Sequence, residues 1–172
     1  MQTILQLIKA PRSPFILALL AGFGMFSGGV VLGQALHLAA CPLCILQRML
    51  YLTLGLSAAL GLLVWQIRAG RIFANLLMLA STGCGVFVAG YQTYIQRFAH
   101  DIQCSGEAAW WELLVDWAGE RAPLLFQASG LCSDPAWKFI GISIAEWSLI
   151  AFSLLTLLAL FALFRRSEKN RQ

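Results

Sequence analysis

The sequence predicts an all-α integral membrane protein, a bundle of four transmembrane helices with two outer loops. Hydrophobic residues make up 59% of the 172 residues and charged residues only 12%, and the mean hydropathy is +0.75. Soluble domains of ordinary composition are far less apolar. Four stretches without Asp, Glu, Lys or Arg each contain or nearly contain the roughly 20 residues that a helix needs to cross about 30 Å of hydrocarbon. They lie between Arg12 and Arg48, Arg48 and Arg68, Arg71 and Arg97, and Glu146 and Arg165.

The predicted helices lie, in chain order, at about 14–36, 45–66, 72–94 and 142–164. Residues 37–44 then form a short outer loop and residues 95–141 a long one, and the whole chain is a single membrane domain. The apolar runs are continuous rather than alternating, which excludes a membrane β-barrel.

Charge placement predicts how the bundle is oriented. Basic residues precede the first helix, separate the second from the third and follow the fourth, all on one side: Lys9, Arg12, Arg68, Arg71, Arg165, Arg166, Lys169 and Arg171. By the positive-inside rule this side is cytoplasmic, so both termini are inside and the other two loops face outward. The net charge of +4 is then accounted for by topology and anionic lipid, and nucleic acid is not an expected partner.

A short amphipathic helix is predicted within the long outer loop. Trp110, Leu113, Leu114 and Trp117 share one helical face, and Glu112, Asp116 and Glu120 lie away from it. Indole side chains favour the membrane interface, so this helix is expected to lie there. Two interpretations stay open: a tether for the preceding cysteine segment, and an ordinary lid packed on the bundle.

Four of the five cysteines, Cys41, Cys44, Cys104 and Cys132, are predicted on or beside the outer face, and Cys84 lies within the third helix as a small buried filler. Outward cysteines suit structural disulfides, and a zinc site is a second alternative, although Cys104 and Cys132 do not resemble a second metal knuckle. The small residues before Cys41 also resemble a lipoprotein processing site. The close spacing of Cys41 and Cys44 at a membrane surface favours dithiol redox chemistry in reach of a lipid-soluble electron carrier.

The local sequence predicts the environment of this first pair. Pro42 suits the first helical position, which places Cys41 at the N-cap and Cys44 in the first turn. A helix N-terminus favours a thiolate there. Arg48 follows Cys44 by four residues, on the same face, and can stabilise that thiolate or an oxyanion on the electron carrier. The alternative is that Arg48 extends to lipid headgroups.

Other candidates carry weaker signals. Glycines spaced by four residues predict close helix packing in the first helix, at Gly24 with Gly28 and at Gly29 with Gly33. His37 and His100 are lone histidines near the surface, and a role in proton transfer or in contact with the carrier stays open for each.

The segment from Cys41 to Arg48, CPLCILQR, resembles the CxLCxxQR signature of the bacterial disulfide bond formation protein B family. The segment Ala128–Cys132, ASGLC, is similar to the second outer loop of that family, as are Trp137, Gly141, Glu146 and Trp147 downstream. The resemblance covers most of the chain and includes the helix count and both cysteine pairs.

The resemblance implies an enzyme of the bacterial inner membrane that reoxidises a periplasmic thiol oxidase of the disulfide bond formation protein A (DsbA) type and passes the electrons to a respiratory quinone, ubiquinone or menaquinone. It implies that the partner attacks a Cys104–Cys132 disulfide and bonds to Cys104. Cys132 then attacks Cys41 and releases Cys44 as the thiolate that meets the quinone. No metal is implied.

The expected quinone site consists of Cys44 and Arg48, with Tyr91 or Gln92 as a further hydrogen-bond donor where this chain departs from the family. Some members of the family carry histidine or arginine at the outer end of the third helix, where this chain has Gly90–Tyr94. Two rival interpretations remain. One is a reductase of the vitamin K epoxide reductase type, whose active pair is expected at a later helix. The other is a non-enzymatic membrane protein with structural disulfides or a thiolate metal carrier.

Overall fold

The computed structural model describes residues 12–98, 110–135 and 137–168, with the backbone alone for 165–168. Four long helices dominate it, and all four are long and apolar enough to cross a membrane. The described elements are α1 (Ser13–Ala35), α2 (Pro42–Leu63), α3 (Arg68–Phe98), α4 (Trp110–Arg121), α5 (Pro123–Phe126), β1 (Lys138–Phe139), β2 (Ile142–Ser143) and α6 (Ile144–Glu168). The predicted four-helix membrane bundle is confirmed.

The helix ends differ from the predicted ones in an informative way. α2 begins at Pro42 with Cys41 as its N-cap, as the proline predicted, and therefore three residues before the bound of about 45 given to the spanning segment. α3 runs through Phe98 and includes both Arg68 and Arg97. The charge-free stretch marks the hydrocarbon region rather than the helix, since long basic side chains let a helix continue beyond it.

The helices pack in chain order, α1 on α2, α2 on α3 and α3 on α6. The core between them is built from buried apolar side chains: Phe15, Ala18, Leu54, Ala58, Ala74, Met78 and Ala159. Nearer the end that carries Cys41, here called the outer end, Tyr51 of α2 stacks on Phe152 of α6 with ring centroids 4.0 Å apart. The Tyr51 hydroxyl lies 2.9 Å from Ser148 Oγ, so the buried phenol keeps a polar partner.

Glycine lets two helices approach closely, but at positions other than the predicted ones. A Cβ on Gly22 of α1 would lie 2.7 Å from the backbone nitrogen of Gly55 in α2. Gly24 and Gly28 have nothing within 4 Å, so the expectation that they pack against a helix was wrong. The spacing of the glycines does not tell which face of α1 contacts α2, because that face depends on the packing of all four helices.

A small two-stranded sheet, absent from the all-α prediction, lies before α6. β1 and β2 are antiparallel, with Lys138 paired to Ser143. The two residues between the strands, Ile140 and Gly141, have positive φ angles of 55° and 77°, as a tight two-residue hairpin turn requires. The turn is hard to predict from the sequence because Ile140 is β-branched, and such residues rarely adopt positive φ.

The predicted amphipathic helix is present as α4. Its large apolar side chains lie on the surface of the protein, with Trp110 77% and Trp117 54% exposed. Small residues on its other side, Val115 and Ala118, are buried where α4 packs against α2. α4 is therefore docked on the bundle while it presents an indole-rich face to the surroundings. That combination suits a helix held at a membrane interface.

Candidate active site

Cys41 and Cys44 form a pair at the N-terminus of α2. Cys41 has extended backbone angles, φ −82° and ψ 162°, and its sulfur accepts a hydrogen bond from the Cys44 backbone N–H at 3.4 Å. The predicted N-cap is thereby confirmed. The two Sγ atoms are 3.1 Å apart, and Cys41 is almost fully buried. A small backbone rearrangement can therefore join them as a disulfide or separate them as a dithiol.

Backbone contacts hold the Cys132 segment against the Cys41 segment. The N–H groups of Ser129 and Gly130 both donate to the carbonyl oxygen of Ala40, at 2.8 and 3.0 Å. A Cβ on Gly130 would lie 2.2 Å from the carbonyl oxygen of Ala39, so only glycine fits there. As a result Cys132 packs in the same apolar cluster as Cys41 and Cys44.

Cys41 and Cys132 differ in how readily they ionise. A hydrogen bond between Cys41 and Cys132 is the main cause that raises the pKa of Cys41, and the hydrogen bond to Cys44 and burial add to it. The same contact with Cys41 lowers the pKa of Cys132. Cys132 is therefore the more readily ionised of these two, and the thiolate is the nucleophilic form of a cysteine.

Two buried glutamines lie on the inner side of the pair. Gln92 of α3 donates from Nε2 to Cys41 Sγ at 3.2 Å and to Cys44 Sγ at 3.1 Å. Gln47 of α2 donates from Nε2 to Gln92 Oε1 at 2.7 Å. The sequence leaves Gln92 as an expected ligand of the quinone, and the structure places it on the sulfur atoms. Gln47 belongs to the CxLCxxQR segment, which is the signal from which its position beside the cysteines could have been found.

Arg48 extends to the other side of α2. Its Nη2 donates to the carbonyl oxygen of Gly29 at 2.8 Å, and its Nη1 donates to that of Leu125 at 3.4 Å. The glycines that were predicted to pack helices instead make room here, because a Cβ on Gly33 would lie 2.8 Å from Arg48 Nη2. The charge remains close enough to act on both sulfur atoms of the pair.

A cavity of about 330 Å³ opens beside Arg48, between α1, α2 and the segment that follows α4. It is lined by Val30, Gly33, Gln34, Leu38, Ala40, Arg48, Pro123, Leu124, Gln127 and Ser129. Its volume is at the lower end of the range found for small-molecule sites. Its wall combines apolar side chains, carboxamides and one guanidinium, so it suits a flat apolar ring that carries oxygen acceptors.

Among the remaining sequence candidates, the three that the structure describes do not meet at this site. Tyr91 is 44% exposed and is not part of the cavity wall. Cys84 is exposed on α3, so the expectation of a buried filler was wrong: this position of a spanning helix faces away from the bundle core. His37 is exposed in the turn after α1. Cys104 and His100 lie outside the described residues.

The fold and the site together define a class. A multi-pass helical bundle with two adjacent thiols at the end of a spanning helix, and a third thiol brought to them by a loop, is a membrane thiol–disulfide oxidoreductase.

Comparisons with known proteins identify the family within that class. The family model for disulfide bond formation protein DsbB matches residues 11–162. A disulfide bond formation protein B of Dechloromonas aromatica is 36% identical over 163 residues, covering 93% of this chain and 97% of that protein. Another from Nitrosomonas europaea is 37% identical over 153 residues, covering 86% and 90%. The chain belongs to the DsbB family and is a multi-pass inner-membrane oxidoreductase that forms disulfide bonds.

Proposed function

We propose that the protein is a thiol:quinone oxidoreductase, which reoxidises a DsbA-type periplasmic thiol oxidase and passes the electrons to ubiquinone or menaquinone. The observation that carries the proposal is the series Cys132, Cys41, Cys44, three thiols packed together where an outer loop meets the helix that holds Arg48. Electrons can move along such a series by thiol–disulfide exchange without any intermediate leaving the protein.

The exchange steps can be written with balanced electrons. A thiolate of the partner attacks the Cys104–Cys132 disulfide, forms a mixed disulfide with Cys104 and releases Cys132 as thiolate. Cys132 attacks Cys41 Sγ of the Cys41–Cys44 disulfide, and the electron pair of the broken S–S bond goes to Cys44. The partner's second thiol then displaces Cys104, which attacks Cys132 and releases Cys41. The net result is an oxidised partner, an intact outer disulfide and a reduced Cys41–Cys44 pair.

The cavity beside Arg48 suits the headgroup of a quinone. A quinone bound there would accept two electrons and two protons from the reduced pair. Arg48 would donate hydrogen bonds to a quinone oxygen and would stabilise negative charge on it. Val30, Leu38 and Leu124 in the cavity wall would give its ring apolar contacts.

Energetics favour a quinone as the final acceptor. A partner with a potential near −120 mV is itself a strong oxidant, and each 30 mV of deficit costs about 1.4 kcal/mol in a two-electron step. A respiratory quinone is more oxidising than that partner, so the chain has to supply positioning rather than driving force. This direction of flow requires Cys41 and Cys132 on the periplasmic side and both termini in the cytoplasm, in agreement with the positive-inside rule.

Thiol counting tests the proposal. The purified full chain is reduced, freed of reductant and incubated with a short-chain ubiquinone or menaquinone, and the free thiols are alkylated and counted by mass spectrometry. We expect loss of the Cys41 and Cys44 thiols, with one quinol formed per pair. Cys44→Ser should abolish both signals, and Cys84→Ser, the matched control on α3, should leave them unchanged.

Two results would contradict the proposal. Thiols that never respond to either quinone, in a folded protein, would leave structural disulfides as the better account. Stoichiometric zinc released on alkylation would identify a metal carrier. Adding a reduced DsbA-type protein tests the partner separately, because catalytic rather than single-turnover quinol formation requires that partner to supply the electrons.

A further inference from the structure

We propose that Gln92 is a catalytic residue that stabilises the reduced Cys41–Cys44 pair through its two amide N–H donors, and that Gln47 is the positioning residue that fixes the orientation of this amide. The inference deepens the proposed function and rests on it for the direction of electron flow. It assigns Gln92 to the sulfur atoms rather than to the quinone.

The orientation of the Gln92 amide follows from what surrounds it. A glutamine side chain offers two N–H donors and one carbonyl acceptor. The Gln92 carbonyl is occupied by the Gln47 amide at 2.7 Å, so the Gln92 nitrogen is left to face the sulfur atoms at 3.2 and 3.1 Å. There are two donors for two sulfur atoms. Each glutamine thus has a defined partner in an apolar cluster.

Burial makes these contacts matter. Gln92 is 1% exposed and Gln47 4% exposed, so water does not replace either amide if it is removed. Hydrogen bonds in such an environment are stronger than in water, and unpaired polar groups are costly. The two carboxamides, one from α2 and one from α3, therefore form a buried hydrogen-bond network with the sulfur atoms of the pair.

The contacts favour one redox state over the other. A thiolate is a strong hydrogen-bond acceptor and a disulfide sulfur is a weak one, so donors aimed at the sulfur atoms stabilise the reduced pair. Stabilising the reduced form makes a disulfide more oxidising. When Cys132 attacks Cys41, the electron pair of the S–S bond arrives at Cys44, where the Gln92 N–H already lies in place. A donor that needs no reorganisation lowers the barrier to that step.

The decisive measurement is the exchange equilibrium of the pair. The full chain carrying Cys104→Ser and Cys132→Ser is equilibrated with dithiol–disulfide buffers, and the oxidised fraction of Cys41–Cys44 is read by mass spectrometry. For Gln92→Leu we expect the equilibrium to move about tenfold toward the disulfide, which corresponds to a potential about 30 mV more negative. Gln92→Glu should move it in the same direction, because a carboxylate repels a thiolate.

Further variants separate donation from packing. Gln47→Leu should give a smaller shift of about threefold, since the Gln92 donors remain but lose their fixed orientation. Gln96→Leu, the same chemical change one turn further along α3, is the matched control and should leave the equilibrium within twofold. The rate of Cys44 alkylation in the reduced protein should fall with Gln92→Leu and Gln92→Glu, and stay unchanged with Gln96→Leu.

An unchanged equilibrium in both Gln92 variants would overturn the inference. If Gln92→Leu does not fold, the double variant Gln47→Leu with Gln92→Leu replaces both amides and leaves no orphaned donor, and the same tenfold shift is expected. The assay contains no quinone. The Gln92 variants can therefore shift the exchange equilibrium even if the thiol-counting experiment shows no oxidation by quinone. That combination would contradict the proposed function and leave this inference intact.

Discussion

Gln47 and Arg48 are adjacent in the sequence, yet they serve opposite sides of the same cysteine pair. Gln47 lies in the core between α2 and α3, where neutral amides meet the sulfur atoms in a closed space. Arg48 lies on the side of α1, where its guanidinium donates to the backbone carbonyl oxygens of Gly29 and Leu125 and faces a cavity. A ligand cannot enter the closed side without breaking buried hydrogen bonds. We therefore expect the closed side to set the chemistry of the sulfur atoms and the open side to receive the proposed quinone.

The largest effect is expected on the side of the cysteine pair that faces the cavity. Arg48→Ala removes the charge from the cavity, and we expect kcat/KM for quinone to fall about a hundredfold, as for other lost oxyanion donors. Arg48→Lys should lose less, because the charge remains while the fork of donors is lost. Steady-state quinone reduction measures this. An equal loss in the quinone-free exchange between Cys132 and Cys41 would show that Arg48 acts on structure instead.

The next effect concerns how Cys132 reaches the pair. Gly130→Ala places a Cβ against the Ala39 carbonyl oxygen, so the Cys132 segment has to move away from Cys41. A displacement near 1 Å is expected to slow the exchange by about tenfold to a hundredfold. The yield of Cys41–Cys132 disulfide in a Cys44→Ser protein measures it. Gly90→Ala, where a Cβ would make an ordinary contact at 3.9 Å, is the control and should not change the yield.

A smaller effect is expected from a substitution that changes neither cysteine nor Arg48 itself but crowds the Arg48 guanidinium. Gly33→Ala pushes a methyl group to 2.8 Å from Arg48 Nη2, whereas Gly28→Ala on the same helix meets nothing within 4 Å. Because the guanidinium is at the end of a flexible side chain, it can move aside. We therefore expect the protein to stay folded. We expect the KM for quinone to rise about fivefold for Gly33→Ala, as for a misplaced positioning group. Equal KM values for the two variants would place the quinone away from Arg48.

The smallest effect is expected at Tyr91. Its side chain is exposed and takes no part in the cavity wall, so Tyr91→Phe should change the KM for quinone by less than about twofold, as surface substitutions usually do. The binding role expected for Tyr91 stays a prediction until this is measured. A large rise in KM would move the quinone to the outer face of α3 and reverse the assignment of the two sides.

Much of this protein could be predicted because its signals are local. Four charge-free stretches are enough to place four spanning helices, since hydrocarbon tolerates little else. Pro42 and Cys41 define the start of α2 through the chemistry of one helix turn. The apolar face of α4 follows from spacing alone. The pairing of Cys132 with the first site came from resemblance to a family, not from any pattern within the loop.

Residue type and near neighbours were enough to predict which segments cross the membrane and where α2 begins, and to point to the side chains that we propose carry the redox chemistry. The packing of the bundle was needed to show that Gln92 faces the sulfur atoms, that Gly33 leaves room for Arg48 rather than for a helix, and that Cys84 faces away from the bundle core. Those outcomes depend on how each helix is rotated about its own axis. That rotation is set by packing among all four helices together, and no single segment encodes it.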